Sequence, residues 1–300
     1  MWDSLQILGT APVFNAQLLL NGLAVGAIFA LAAYGLALVW GVTSVKNLCQ
    51  GDLVMMGGYG AYEISRHGLN PMWALLAVPP VMFAFGWILY RLIIKRVIQL
   101  DLFTSLLATF GLAITIQQSL NLAFGPEVRA LKAGFGIFHL FGDKVEISEV
   151  RVIAFALCVL LALGMVLFLG RSRLGQAIRA TAQDPRAARV LGVNTDLVYA
   201  MTYSINAAIC GAAGVLISMI WVIQPFYGIA YSVRAFVIVT AAGLGNLPGV
   251  ILAALGLGVV EQYSGFILGA QFQQATIVGL LLAILIWRQF ALMRHRKALQ

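Results

Sequence analysis

Long uncharged runs separated by short charged stretches are the dominant pattern along this chain. Residues 4–45 carry no charge, and apolar and small side chains fill 18–42. A helix needs about 20 residues to cross a bilayer, so this run holds one span and a lead-in. The polar piece 46–52 follows, and then Gly-rich 53–62, too short to cross unaided. That piece either extends to Ser65 and pairs with residues before it, or is re-entrant. Residues 67–90 form a span in which Pro79-Pro80 predicts a kink. Apolar runs follow at 102–126, 152–170, 197–233, 235–260 and 262–287.

The charges between these runs set an orientation. Residues 91–96, 171–196 and 288–300 are basic, so all three are expected on the cytoplasmic side. The hydrophilic loop 127–151 holds four acids against four bases and has no inward bias. The two runs between the first two basic clusters fit this scheme. Three runs lie between the second and third clusters, where an even number of crossings is required. The sequence GLGNLPG at 243–249 offers a solution, because a continuous helix tolerates it poorly. It predicts half-helices at 233–242 and 250–260 that enter and leave on one side, with the break at membrane depth beside a pathway. The Gly-rich region 41–62 is then the corresponding break in the first half, which suggests an internal inverted repeat. Absence of Lys and Arg before position 46 leans the N-terminus outward if 53–65 completes a crossing.

Composition makes lipid the required solvent: 61% of residues are hydrophobic and 10% charged, with a mean hydropathy of +0.94. No soluble core hides that much apolar surface. The expected fold is an all-α polytopic bundle, one transmembrane domain over 1–300 with about eight membrane segments, broken or re-entrant helices included. The net charge of +8 lies at the ends of apolar runs, which argues against nucleic acid. Cys49, Cys158 and Cys210 form no paired motif and read as packing residues. No basic region precedes the first run, so it is expected to be a retained span. Gly22 and Gly26, Ala207 and Gly211, and Ala254 and Gly258 stand four apart, the spacing that lets helices approach closely in lipid.

Residues 171–196 hold five arginines and two aspartates, the densest charge in the chain. Asp184-Pro185 is a strong helix start, an N-cap acceptor followed by Pro at the first position. Gly192 suits a left-handed C-terminal cap, so 185–191 reads as a short capped helix. A helix this short is unstable alone in water and must rest on the body, a partner or both. Ala187 and Ala188 offer a flat face, and Arg186 and Arg189 offer ion pairs. Leu174, Ala177, Ile178 and Thr181 repeat at helical spacing and fit against the body. An ordinary basic loop would explain the charge, but neither the caps nor the Ala-Ala-x-x-x-Gly spacing. Together Asp184, Pro185, Arg186, Ala187, Ala188, Arg189, Leu191 and Gly192 form a candidate docking element.

No lysine follows a glycine, so the chain has no P-loop, and no nucleophile–base set or His/Cys/carboxylate cluster emerges. His67, His139 and His295 are scattered. The chain is therefore not expected to be an enzyme or to bind a cofactor or metal. Polar residues inside the runs are the other candidates, since intramembrane polar groups tend to face the bundle interior or a cavity. These are Asn47, Gln50, Gly51 and Asp52 in the first break, Gln117 and Asn121 on one helical face, Asn206 in the run after the docking stretch, and Gly243, Gly245, Asn246 and Pro248 in the second break. No charge reads clearly as mid-membrane, and Glu63 and Glu261 are expected near interfaces.

The stretch GRSRLGQAIRATAQDPRAARVLGVNTDLVYAMTY resembles the coupling region of permease subunits of branched-chain amino acid ABC importers. Ala187-Ala188-x-x-x-Gly192 is similar to the "EAA…G" coupling motif, with Arg186 where many members have Glu. Asn47…Gly51-Asp52…Gly58-Tyr59, LLATFGLAITIQQ at 106–118 and GLGNLPGVILAALGLGVVE at 243–261 extend the likeness along most of the chain. The resemblance implies an inner-membrane permease for branched-chain or related small amino acids. It also implies pairing with a second related permease, two cytoplasmic ATPases that bind the ATP, and an extracytoplasmic binding protein. Relatives that move urea or short amides leave that substrate class open, and an ion-coupled carrier working without an ATPase is the alternative of a different class. Two departures stand out: Cys49-Gln50 replaces the usual Ala-His, and the tail lacks the usual Pro-x-Gly turn.

Overall fold

The structure is a computed structural model that describes Gln6 and residues 11–43, 45–98, 100–131, 136–140, 145–243 and 245–297. Side chains of the expected basic tail at 288–297 and of His139 lie outside the described residues, as do the first five residues.

Helix α1 (Pro12–Thr43) is apolar on every side because protein surrounds it: Val25, Ile28, Ala33, Leu36 and Val39 are almost wholly buried. A non-helical stretch, 45–49, leads to α2 (Gln50–Arg66). Then come α3 (Pro71–Val97) and α4 (Leu102–Phe124), the latter capped by Asp101, whose side chain accepts from the Thr104 N–H. Strands β1 (Ile137–Leu140) and β2 (Val145–Ser148) form a short antiparallel hairpin, a minor departure from an all-helical chain. Helix α5 (Glu149–Arg171) leads into α6 (Arg173–Gln183) and α7 (Pro185–Val190). Helices α8 (Thr195–Ile220), α9 (Gly228–Ala242), α10 (Leu247–Leu268) and α11 (Gln273–Lys297) complete the bundle. Among the described residues eight helices are long and apolar enough to cross a membrane, with α1 and α8 at the centre and α5 and α11 outermost.

The order of α1–α4 is repeated by α8–α11 in the opposite sense. Each half starts with a long buried helix, breaks, resumes with a shorter helix that begins inside the body, and ends with two more helices. The two short helices meet at their N-termini. The Gly51 N–H donates to Ser232 Oγ at 2.8 Å, and that hydroxyl donates to the Leu48 carbonyl at 2.9 Å. Helix α2 ends beside the far end of α4, where Tyr59 and Tyr62 pack on Phe124, so this segment completes a crossing and is not re-entrant.

All three four-apart pairs of small residues lie at close helix contacts. A Cβ on Gly22 would stand 2.7 Å from Val259 Cα, and one on Gly26 would stand 2.7 Å from Leu255 Cα, along the Ala254/Gly258 face of α10. On α8, Gly211 meets Gly57 and Ala207 meets Gly86.

One expectation is corrected. The 243–249 break is not at membrane depth: Gly245, Asn246 and Pro248 are exposed, and Gly245 and Leu247 share a cleft with Arg179 and Gln183 of α6. The glycines and Pro end one helix and start the next, with φ of +87° at Gly243 and +81° at Gly245 and Asn246 Oδ1 accepting from the Gly249 N–H at 3.1 Å. The chain also breaks at 221–227, where Trp221 is extended, Ile223 pairs with Arg129 of the hydrophilic loop, and Pro225 opens a single tight turn before α9. Four crossings, α8 to α11, therefore link the second and third basic clusters. Helix α3 stays hydrogen-bonded as a helix through Pro79-Pro80 and widens into a π turn at Tyr90–Ile94.

Candidate functional site: a buried polar knot and an exposed helix

The α2 break brings its polar residues together in the core. Asn47, Gln50, Asp52 and Asn206 are at most 1% exposed. Gln50 Nε2 donates to the Ala32 carbonyl at 2.7 Å, to Asn206 Oδ1 at 3.0 Å and to Cys210 Sγ at 3.0 Å. Asn206 Nδ2 donates back to Gln50 Oε1 at 3.2 Å, and Cys49 Sγ donates to Asn47 Oδ1 at 2.9 Å. From α4, Gln117 Nε2 donates to Asp52 Oδ1 at 2.9 Å. Such groups persist in a buried site only when bonded, and here they bond to one another. The result is one connected polar knot at the meeting point of α1, α2, α4, α8 and α9.

Of the pathway candidates, the structure gathers Asn47, Gln50, Gly51, Asp52, Gln117 and Asn206. Asn121 lies one turn beyond Gln117, its Oδ1 buried without a hydrogen-bond partner. Gly243, Gly245, Asn246 and Pro248 are not part of this group, because their turn lies on the face that carries α6 and α7. Ser232 and Cys210 join the knot and were not evident in the sequence, where a lone Ser or Cys in an apolar run carries no signal.

Helix α7 has both expected caps. Asp184 Oδ1 accepts from the N–H groups of Arg186 (2.7 Å) and Ala187 (3.1 Å), and those bonds hold the Asp184 carboxyl below the usual carboxylate range. At the other end Val193 N–H donates to the Ala188 carbonyl and Gly192 N–H to that of Arg189, both at 3.0 Å, with Gly192 at φ +85°. This pattern closes the helix through a left-handed glycine. Its last helical residue is Val190, one earlier than expected.

The alanine face divides. Ala188 turns inward and is 2% exposed, whereas Ala187 faces out beside Val190 and Leu191, which are 87% and 81% exposed. Arg189 Nε donates to Thr195 Oγ1 at 2.7 Å, pinning α7 to the start of α8. Helix α6 is fixed by Ser172, which accepts from the Gly175 N–H at 2.8 Å, and by burial of Gly175, Ile178 and Thr181 against the body. Asp196 ties this region to α3: it accepts from Tyr90 Oη at 2.8 Å and Lys95 Nζ at 3.0 Å.

A second feature escaped the sequence reading. Glu261 is buried in α10 and paired with Arg234 of α9, the residue that separates the runs 197–233 and 235–260. Arg234 Nη2 donates to Glu261 Oε1 at 2.6 Å and Nε to Oε2 at 3.2 Å. Two lone opposite charges, each the only residue separating one apolar run from the next, were the available signal.

Eight helices among the described residues, long and apolar enough to cross a membrane and set in two repeated halves around a buried polar knot, are the architecture of an integral membrane protein. The chain belongs to the family described as branched-chain amino acid transport system / permease component, whose model matches residues 18–287. It is 32% identical to the high-affinity branched-chain amino acid transport system permease protein BraD of Pseudomonas aeruginosa, over 91% of this chain and 93% of that one. It is 29% identical to the corresponding LivH of Escherichia coli K12, over 91% and 94%. The ribose import permease protein RbsC of Escherichia coli K12 is 24% identical over 91% and 86%. The protein is thus a multi-pass permease component of the inner membrane, and its role is transport rather than catalysis.

Proposed function

We propose that this permease carries branched-chain or related small amino acids inward, as one of two related permeases driven by two cytoplasmic ATPases and supplied by an extracytoplasmic binding protein. The names of BraD and LivH support the substrate class. The chain acts as one domain, with 171–196 as its coupling segment. The observation that carries the reading is α7, a rigidly capped helix that projects Val190 and Leu191 from a basic, cytoplasmic face. A chain without a P-loop must receive ATP energy through such a contact.

The route inward is short. Force on α7 passes through the Arg189–Thr195 bond into α8, and α8 carries Asn206 about three turns further on. A tilt of α8 would part Asn206 from Gln50 and open the knot between the halves.

The test is ATP-dependent uptake in vesicles holding the assembled importer, with Leu191→Glu as the variant. Loss of leucine uptake with the permease folded is expected; unchanged uptake overturns the coupling role. Uptake by the permease without any ATPase would instead support an ion-coupled carrier, and uptake of urea or short amides in preference to leucine would reassign the substrate.

A further inference from the structure

On the face opposite α7, a cavity of about 400 Å³ opens between α1, α9, α10 and α11. Its volume falls in the range of ligand pockets, roughly 300–1,000 Å³. The Arg234–Glu261 pair forms one wall, with side chains only 14% and 8% exposed. The guanidinium lies 5.2 Å from the Phe29 ring centroid and 5.6 Å from that of Tyr231. Trp221, stacked on Phe29 with centroids 6.1 Å apart, extends the aromatic wall.

A buried ion pair is weak evidence for stability, since desolvation offsets much of its attraction. Ionisable groups in membrane helices more often mark a substrate path. This pair also has unused capacity. Arg234 spends three N–H groups, two on Glu261 and one on the Ala230 carbonyl at 3.2 Å, out of the five a guanidinium carries. Two remain at the cavity wall, beside a carboxylate with open lone pairs.

We propose that the Arg234–Glu261 pair is a binding site for the zwitterionic head of an amino acid entering the permease. This rests on the reading of the protein as an amino acid carrier and deepens it. The substrate α-carboxylate takes the free N–H groups of Arg234, and the α-ammonium donates to Glu261. The two charged groups are bonded to one carbon, matching a donor and an acceptor held side by side. An apolar side chain lies against Phe29 and Trp221. Because the pair is already formed, the empty site leaves no lone buried charge, and an uncharged solute gains nothing from it.

The experiment uses the complete importer in vesicles, with labelled leucine and its loaded binding protein. The double variant Arg234→Met, Glu261→Met removes both charges, keeps the bulk and leaves no unpaired ion. Leucine transport is expected to fall roughly ten- to hundredfold, the weight of charge-assisted hydrogen bonds. ATP hydrolysis stimulated by the loaded binding protein should persist. Unchanged uptake overturns the site. Should the double variant not assemble, Arg234→Lys serves: it keeps the charge and loses the fork. A raised KM with little change in kcat supports the site, and an unchanged KM overturns it. A wild-type importer that moves only uncharged solutes overturns the site but not ATP-driven import. One with no ATP-driven uptake at all overturns both.

Discussion

Gln50 and Asn206 exchange amide hydrogen bonds across 156 positions of sequence, joining the first turn of α2 to the middle of α8. Each is fully buried, so each is the main reason the other's polar atoms are tolerated there. This link connects the repeated halves.

Replacing Gln50 or Asn206 singly by Leu strands the partner, and each should cost about 1–3 kcal/mol. The double variant should lose clearly less than the sum, because it removes both orphaned groups. Thermal melts of the purified permease in detergent measure the cycle, and additive losses would show that the two residues act independently.

Gly51→Ala should prevent correct assembly. Its new Cβ would press on the Gly228 backbone and stand 2.6 Å from the Ser232 nitrogen, where no flexible side chain can yield. Gly256→Ala, whose added methyl would meet no atom within 4 Å, should behave as wild type. Monodispersity on size exclusion compares them.

The Asp184 cap sets a pH limit for α7. A carboxyl held below its ordinary value of about 3.9 adds stability above that value, and this contribution disappears as pH falls through the lowered one. At neutral pH the cap is fully present. Asp184→Asn should keep it without titrating, and Asp184→Ala should lose it. Amide exchange at Arg186 and Ala187, corrected for its intrinsic pH dependence, reads this directly.

Asp196→Asn should leave overall stability nearly unchanged. The Lys95 contact is half-exposed, and such pairs contribute about 1 kcal/mol or less. The Asn side chain still accepts from Tyr90. Uptake should fall more than the melting temperature if this contact fixes how α3 follows α8; equal effects would assign it to stability alone.

Glycine, proline and aspartate carried most of what could be read locally. The caps of α7 follow from Asp184, Pro185 and Gly192 because capping depends on neighbours only a few residues apart. The same local logic misled at 243–249. The turn was real, but its depth in the membrane is not a local property. Pro225 marked the break before α9, yet it sat inside an apolar run that read as one span.

By itself the sequence determined that the chain is embedded in lipid and that a capped helix lies within its densest run of positive charge. Composition, charge position and cap chemistry act over short distances or over the whole chain, and both are visible in one dimension. Tertiary structure alone decided that Ala188 turns inward while Val190 and Leu191 turn out, that Gln50 meets Asn206, and that Arg234 is paired with Glu261. In a bilayer the protein-facing and lipid-facing sides of a helix are both apolar, so periodicity does not say which side is inside. Partners for buried polar groups are chosen by packing, and only the folded chain shows them.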